Sequence, residues 1–401
     1  MDFRFGGEND DFAGEVQSFL ESVMSPERTR GNADPEDLSG LAEPFERSVH
    51  RAAGERGYLA VDMPVAQRAR FNFLVAASDA PLIDTAVTLA GYSITAFARP
   101  EQREYFLPRI ERGEIELCIA YTEENAGSDL AAQSTTAYAD GNGDADGDRG
   151  GDGGYVLSGQ KVLVTGAHKA DWCVTTARTT PDVPIREGLS MFLVDMTLPG
   201  IEVVRRPTMN TWTLDEIVFH DVRLDSEALL GERDAGWRQL VTTVAAERSG
   251  IFHLGFAQRV LDELVRYVRA TSRDGRALAA DPLVRDRLAR LDLELAAGLR
   301  LAKRTLWSIE SGDPDASLAP MATVYATELL QRLAQAATEI AGHAGQVHAP
   351  LFADSPPHAA AGGRFAFEYL ERVHGTIGGG TSEVHRDAIA QLGLGLPRGR
   401  R

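Results

Sequence analysis

Apolar residues near the start of the chain recur with a helical period. In "DDFAGEVQSFLESVM", Phe12, Val16, Phe19, Leu20 and Val23 fall on one stripe, and acidic residues open the segment. "AEPFERSVHRAAGERGYLAV" and "PLIDTAVTLAGYSITAFA" continue in that style, and "RPEQREYFLPRIERGE" places Pro100 at a helix start and Pro108 at a break. The texture changes near residue 116. Short β-branched and aromatic runs, from "LCIAYT" to "EIVFHDV", alternate with Gly, Asp and Pro and predict a compact antiparallel β-domain. Beyond Asp225 the helical period returns. "GWRQLVTTVAAERSGIFHLGFAQRVLDELVRYVRATSR" predicts one or two long helices, and two further amphipathic segments begin at Pro282 and Met321. The pattern predicts a multidomain α+β protein: an N-terminal helical domain (1–116), a central antiparallel β-domain (117–225) and a C-terminal four-helix bundle (226–401).

Composition narrows the partners. Apolar residues make up 43% and the formal net charge is −18, which suits a soluble globular protein and disfavours nucleic acid or an anionic membrane as a partner. No apolar run approaches the roughly 18 residues of a membrane span. The two cysteines, Cys118 and Cys173, lie in separate strand-like runs with no metal-type spacing, so a reducing compartment is expected. The opening "MDFRFGGENDD" has neither a basic nor an apolar leader region, and a cytoplasmic location is expected. The stretch 139–154 imitates a calcium loop through Asn142, Asp144, Asp146 and Gly147. Its twelfth position is Gly153 instead of a bidentate Glu, so a long solvated hairpin loop is expected there.

Four motifs carry the chemistry. "YTEENAGSD" (Tyr121–Asp129) precedes "GQKVLVTGAHKADW" (Gly159–Trp172); "AAERSG" (Ala245–Gly250) lies in the helical half; and "TIGGGTSEVHR" (Thr376–Arg386) stands near the end. In this order and frame they resemble the acyl-CoA dehydrogenase family of flavoproteins, over about Pro100 to Arg398 and more weakly before that. The resemblance implies FAD as cofactor, an acyl thioester of CoA or an acyl carrier protein as substrate, and an electron-transfer flavoprotein as acceptor. It also implies a homotetramer or dimer. Desaturating a thioester removes an α-proton and a β-hydride, which calls for a carboxylate base, donors on the carbonyl and a hydride acceptor.

Carried onto this chain, the resemblance places Tyr121, Thr122, Gly127, Ser128 and Thr165 along the flavin, with Ser128 and Arg248 also near substrate. Thr381 and Glu383 fall on the ribityl–adenosine side, and Gly342 and Gly345 under the adenine half. The chain departs from the family at Leu163, where an aromatic is usual, and at Thr271 and Asp274, where an Arg and a Phe reach the cofactor. Arg273 or Arg269 can supply the charge from a shifted position. "TEEN" replaces the usual Thr-Glu-Pro-Gly and is expected to loosen its turn.

Where many relatives carry the base, immediately before Gly-Thr, this chain has Gly379, which retains only its backbone N–H for polarising the thioester. A second family solution puts the glutamate on a bundle helix before an Arg, and Glu247-Arg248 stands there. Apolar neighbours would raise the Glu247 pKa, as suits a base. His374 is a minor rival, and it and His385 read as satisfied loop histidines. Two other readings stay open: a flavin-dependent monooxygenase on the same scaffold, or a non-catalytic partner subunit of a heteromeric acyl-CoA dehydrogenase.

Overall fold

The computed structural model describes residues 8–34, 40–82, 86–139, 153–209, 213–246, 249–312 and 315–397. Helices come first: α1 (Glu8–Val23), α2 (Pro26–Arg30), α3 (Glu43–Gly54), α4 (Val65–Ser78), α5 (Gly91–Phe97) and α6 (Pro100–Glu111). Pro100 does open α6, where its missing N–H costs nothing. Pro108 does not end it. The helix runs on to Glu111, because the lost backbone bond falls in a last turn that was ending anyway.

Strands β1 (Leu117–Ala120), β2 (Thr136–Ala139), β3 (Tyr155–Val164), β4 (Trp172–Arg178), β5 (Leu189–Asp195), β6 (Ile201–Pro207), β7 (Thr213–Leu224) and β8 (Leu229–Leu230) form one sheet, with the short helix α7 (Ile185–Gly188) before β5. The spatial order is β6-β7-β3-β2-β4-β5-β8, and β1 lies on β4. Most pairings are antiparallel, but β1 and β2 each meet β4 in parallel. The sheet is therefore mixed. β2 and β3 pair antiparallel, as a hairpin requires; the acidic stretch between them falls in 140–152, outside the described residues. Among the described residues no cluster of His, Cys, Asp and Glu could hold a metal, and no helix is long and apolar enough to cross a membrane.

The helical half continues with α8 (Gly236–Ala246), α9 (Ile251–Ala270), the two-residue strands β9 (Ser272–Arg273) and β10 (Arg276–Ala277), α10 (Pro282–Glu310), α11 (Leu318–Ala341), α12 (Arg364–Glu371) and α13 (Ser382–Ala388). The long segment after Asp225 is two helices, broken at Gly250, which sits at φ +68°. A Cβ there would come within 2.7 Å of the Ala322 carbonyl of α11, so glycine serves both the turn and the close approach. Leu254, Val260, Leu261, Leu291, Leu295, Leu329 and Leu333 make the bundle core with Ala69 and Ala76 of α4, so a helix from the first part of the chain joins the C-terminal bundle.

A buried ionic network ties that helix in. Asp79 caps the C-terminus of α4 in the left-handed region and pairs with Arg259 of α9 and, at 2.5 Å, with Arg364 of α12. Arg259 also meets Glu368, which Arg372 approaches to 2.5 Å, and Glu263 lies 3.8 Å from Arg364. Burial alone would raise the Asp79 and Glu368 carboxyls, but the arginines outweigh it and hold both below their ordinary range. Burial pushes Glu263 up.

Candidate functional site

The first wall of the site is the turn after β1. Glu123 and Ala126 exchange backbone bonds of 3.2 and 3.0 Å, so the turn is closed despite lacking the expected proline. The Glu123 carboxylate holds it from inside: it accepts from the Ser134 amide (2.6 Å), the Ser134 hydroxyl (2.8 Å), the Thr135 amide (3.1 Å) and Lys161 Nζ (2.8 Å). Lys161 is fully buried and also donates to Gln133 Oε1 at 3.0 Å. Burial works against the Glu123 charge, but Lys161 prevails and brings its pKa down to about 2. The expected loosening does not occur, because this buried pair fixes the loop in place of proline.

Outside that anchor, Gly127 and Ser128 are exposed and Thr122 is partly exposed. The Thr122 carbonyl accepts from Val162 N at 2.9 Å, which sets it beside the end of β3. There the register slips between Lys161 and Val164, and Leu163 is thrown outward at φ +57° with 61% of its surface exposed. A branched apolar residue held in the left-handed region is strained, and such strain gathers at ligand sites. Thr165, two residues on, is exposed as well. Tyr121 behaves differently. Its hydroxyl is buried beside Ser93 of α5, and burial raises its pKa, so Thr122 is the accessible member of the pair.

The second wall is the glycine stretch. Gly379 and Gly380 lie at φ +67° and +110°, and nothing stands within 4 Å of where a Gly379 Cβ would be. The Thr381 hydroxyl caps α13 by accepting from Val384 N at 3.2 Å. The Glu383 carboxyl is held below its ordinary range by its own amide, the Thr381 hydroxyl and Arg386. Thr381 and Glu383 line a groove of about 440 Å³ with Glu328, Arg332, Ile377 and Arg386. His385 is buried within α13 and not in a loop. Glu247 and Arg248 lie outside the described residues; the chain leaves α8 at Ala246 and resumes at buried Ser249 and Gly250.

Arg273, Gly342 and Gly345 come together at the far end of α11. Arg273 donates to the Ile340 carbonyl at 2.6 Å, placing a cation at the negative helix terminus. Its hairpin turns at Asp274-Gly275, both at positive φ, which is the favoured geometry for this pair. A Cβ on Gly345 would come within 2.7 Å of the Thr338 carbonyl, so close helix packing accounts for that glycine.

A cavity of about 470 Å³, not foreseen from the sequence, lies between the β6–β7 connection and the bundle. Thr208, Met209 and Leu214 line one side, and Gln331, Tyr369, Glu371, His374 and Ile377 the other. The i, i+3 spacing of Glu371 and His374 was the available signal. On the far side of that turn, His253 of α9 is driven down to about 3 by burial, with Arg372 and His374 adding to the effect.

With this architecture and these motifs in place, comparison with known proteins gives the class. The middle-domain model of acyl-CoA dehydrogenase matches residues 118–226 and the C-terminal-domain model matches 234–394. The acyl-CoA dehydrogenase IpdE1 of Mycobacterium tuberculosis is 33% identical, covering 84% of this chain and 82% of the relative. FadE29 of the same organism is 29% identical over 96% of both. Among solved structures, the Tcur3481–Tcur3483 steroid ACAD superposes with a TM-score of 0.86 and the ChsE4–ChsE5 complex from Mycobacterium tuberculosis with 0.85. Each is 26% identical over the full length of both chains. The chain belongs to the acyl-CoA dehydrogenase family. Members are FAD-dependent flavoproteins, and it is an oxidoreductase acting on CH–CH bonds.

Proposed function

We propose that the protein desaturates an acyl thioester between Cα and Cβ, with Glu247 as the base and the Gly379 N–H as a donor to the thioester carbonyl. The observation that carries this reading is the accessible polar edge of Thr122, Gly127, Ser128 and Thr165 beside the strained, exposed Leu163. That edge suits a planar, hydrogen-bonding ring system, so FAD fits the residues present. When bound, FAD supplies the hydride acceptor.

The chain's own residues handle the proton and the carbonyl. Glu247 takes the α-proton. The Gly379 N–H takes up charge developing on the carbonyl oxygen, an interaction that is stronger in the transition state than in the ground state. Thr381 and Glu383 flank the cofactor's phosphate side, and Arg273, Gly342 and Gly345 its adenosine side. Exposed Leu392 (62%), Leu394 (70%) and Leu283 (78%) supply apolar surface for a homo-oligomer, a tetramer or a dimer. An electron-transfer flavoprotein is the proposed acceptor. The domain division at 116 and 225 and the cytoplasmic location belong to the same reading.

A second reading is favoured by two relatives whose names pair two proteins, the ChsE4–ChsE5 complex and the Tcur3481–Tcur3483 steroid ACAD. In it the chain works with a different partner, and the substrate is bulky and steroid-like. One experiment separates the two. The purified protein is reconstituted with FAD, its visible spectrum recorded, and straight-chain and steroid-side-chain acyl-CoAs assayed with an artificial acceptor. The expected outcome is bound flavin and turnover that falls roughly a thousandfold in Glu247→Gln, the general-base and preorganisation contributions being lost together. Partial recovery is expected when Gly379→Glu is added: nothing stands within 4 Å of the new Cβ, but the left-handed backbone at φ +67° strains any side chain there and keeps the recovery partial. Unchanged turnover in Glu247→Gln removes the base assignment. Protein that stays colourless after FAD supports the partner-subunit reading.

A further inference from the structure

The glycine stretch is held at both ends by its neighbours in sequence. Residues 378–380 bring no side chains, and two of them lie at positive φ. On the C-terminal side the stretch is moored by the Thr381 cap of α13. On the N-terminal side the mooring is His374. Its backbone carbonyl accepts from the amides of Ile377 and Gly378, both at 2.8 Å, which folds the chain back just before Gly379.

The His374 ring is pinned in turn. Nδ1 donates to the Glu371 carbonyl at 2.6 Å and lies 3.1 Å from the Glu371 carboxylate, whose side chain is 8% exposed. A donor at Nδ1 fixes the tautomer and the plane of the ring. The turn also runs alongside α9 and α11, with room for no more than a methyl group between. A Cβ on Gly375 would stand 3.7 Å from the His253 ring of α9 and 3.8 Å from the Thr327 methyl of α11. Ile377, which ends this turn, lines both the 470 Å³ cavity and the 440 Å³ groove.

We propose that His374, held by Glu371, is a positioning residue that sets the aim of the Gly379 N–H. The inference rests on the proposed role of that N–H in polarising the thioester. Where relatives carry a base before Gly-Thr, this chain has only a backbone donor, so the direction of one N–H bears more of the work. Misaiming such a donor weakens an interaction made chiefly in the transition state, so the loss falls on kcat and leaves KM nearly unchanged.

The test compares His374→Ala and His374→Asn in the FAD-loaded protein. The Asn amide can donate close to where Nδ1 does. In His374→Ala, amide exchange across residues 377–380 is expected to quicken about tenfold while the bundle core is unchanged. Turnover is expected to fall roughly a hundredfold, with KM within about twofold. His374→Asn is expected to restore both to within about threefold of wild type. Unchanged exchange in His374→Ala overturns the proposal, as does a loss confined to KM or one that Asn leaves uncorrected. A wild-type protein without dehydrogenase turnover would defeat the proposed function instead, and the exchange comparison would still decide whether His374 moors the stretch.

Discussion

Leu163 combines two properties that stability alone would remove: a left-handed backbone and a largely exposed apolar side chain. Each non-glycine residue in that region costs about 1–2 kcal/mol, and little burial is recovered in return. Leu163→Gly should therefore raise the stability of the cofactor-free protein by about 1 kcal/mol, measured by urea unfolding. The same change should weaken FAD retention, measured by fluorescence titration. Loss of stability together with unchanged FAD affinity would show that the bulge serves packing. The residue was legible in the sequence as a departure from its relatives, but its strain was not. A register slip within β3 creates the left-handed backbone, and slips leave no mark on the hydrophobic period.

At the scale of elements, the change of texture near residue 116 was readable because strand and helix periods differ. Which strands pair was not. β1 and β2 reach β4 in parallel, and an alternating strand carries no label for its neighbour's direction. The helix break at Gly250 was left open, the segment reading as one or two helices, because a lone glycine in a helical pattern reads as a tolerated defect. The anchoring of the "YTEENAGSD" turn was equally invisible, since Glu123 and Lys161 are 38 positions apart. Replacing Lys161 with Met would leave the Glu123 carboxylate buried beside three backbone and hydroxyl donors but without its counter-charge. A loss of about 3–5 kcal/mol is expected, as for other broken buried pairs. A Lys161→Met protein with a wild-type denaturation midpoint would show that water or a neutral carboxyl replaces the lysine freely.

For the molecule as a whole, His253, Asp79 and Glu368 set the acid side, and Glu263 and Glu116, which burial raises, oppose them. His253 stays neutral in the folded protein down to about 3, whereas an unfolded imidazole takes up a proton near pH 6.5. The unfolded state therefore binds more protons between those values, and stability falls with falling pH, at a limiting slope of about 1.4 kcal/mol per pH unit. Asp79 and Glu368, held below their ordinary range, contribute fully above about pH 4.3, and their contribution is lost as pH drops further. Chemical denaturation across pH should show a decline beginning below about pH 6.5 and steepening below about 4.3. His253→Gln should flatten the upper part. An unchanged midpoint from pH 7 to 5 would mean that His253 is protonated in the folded protein.

The ionic network also bears on how the chain can be divided. Arg259, Arg364 and Arg372 balance Asp79, Glu263 and Glu368, and one of those carboxylates arrives on a helix that sequence texture assigns to a different domain. Removing residues up to 116 would leave the remaining bundle with an unmatched cation in its interior. An ancestral recombination or an engineered chimera that exchanged only the C-terminal half would inherit the same imbalance unless α4 travelled with it. The packing unit of the bundle is thus discontinuous: α4 from the first part of the chain together with α9, α10, α11 and α12.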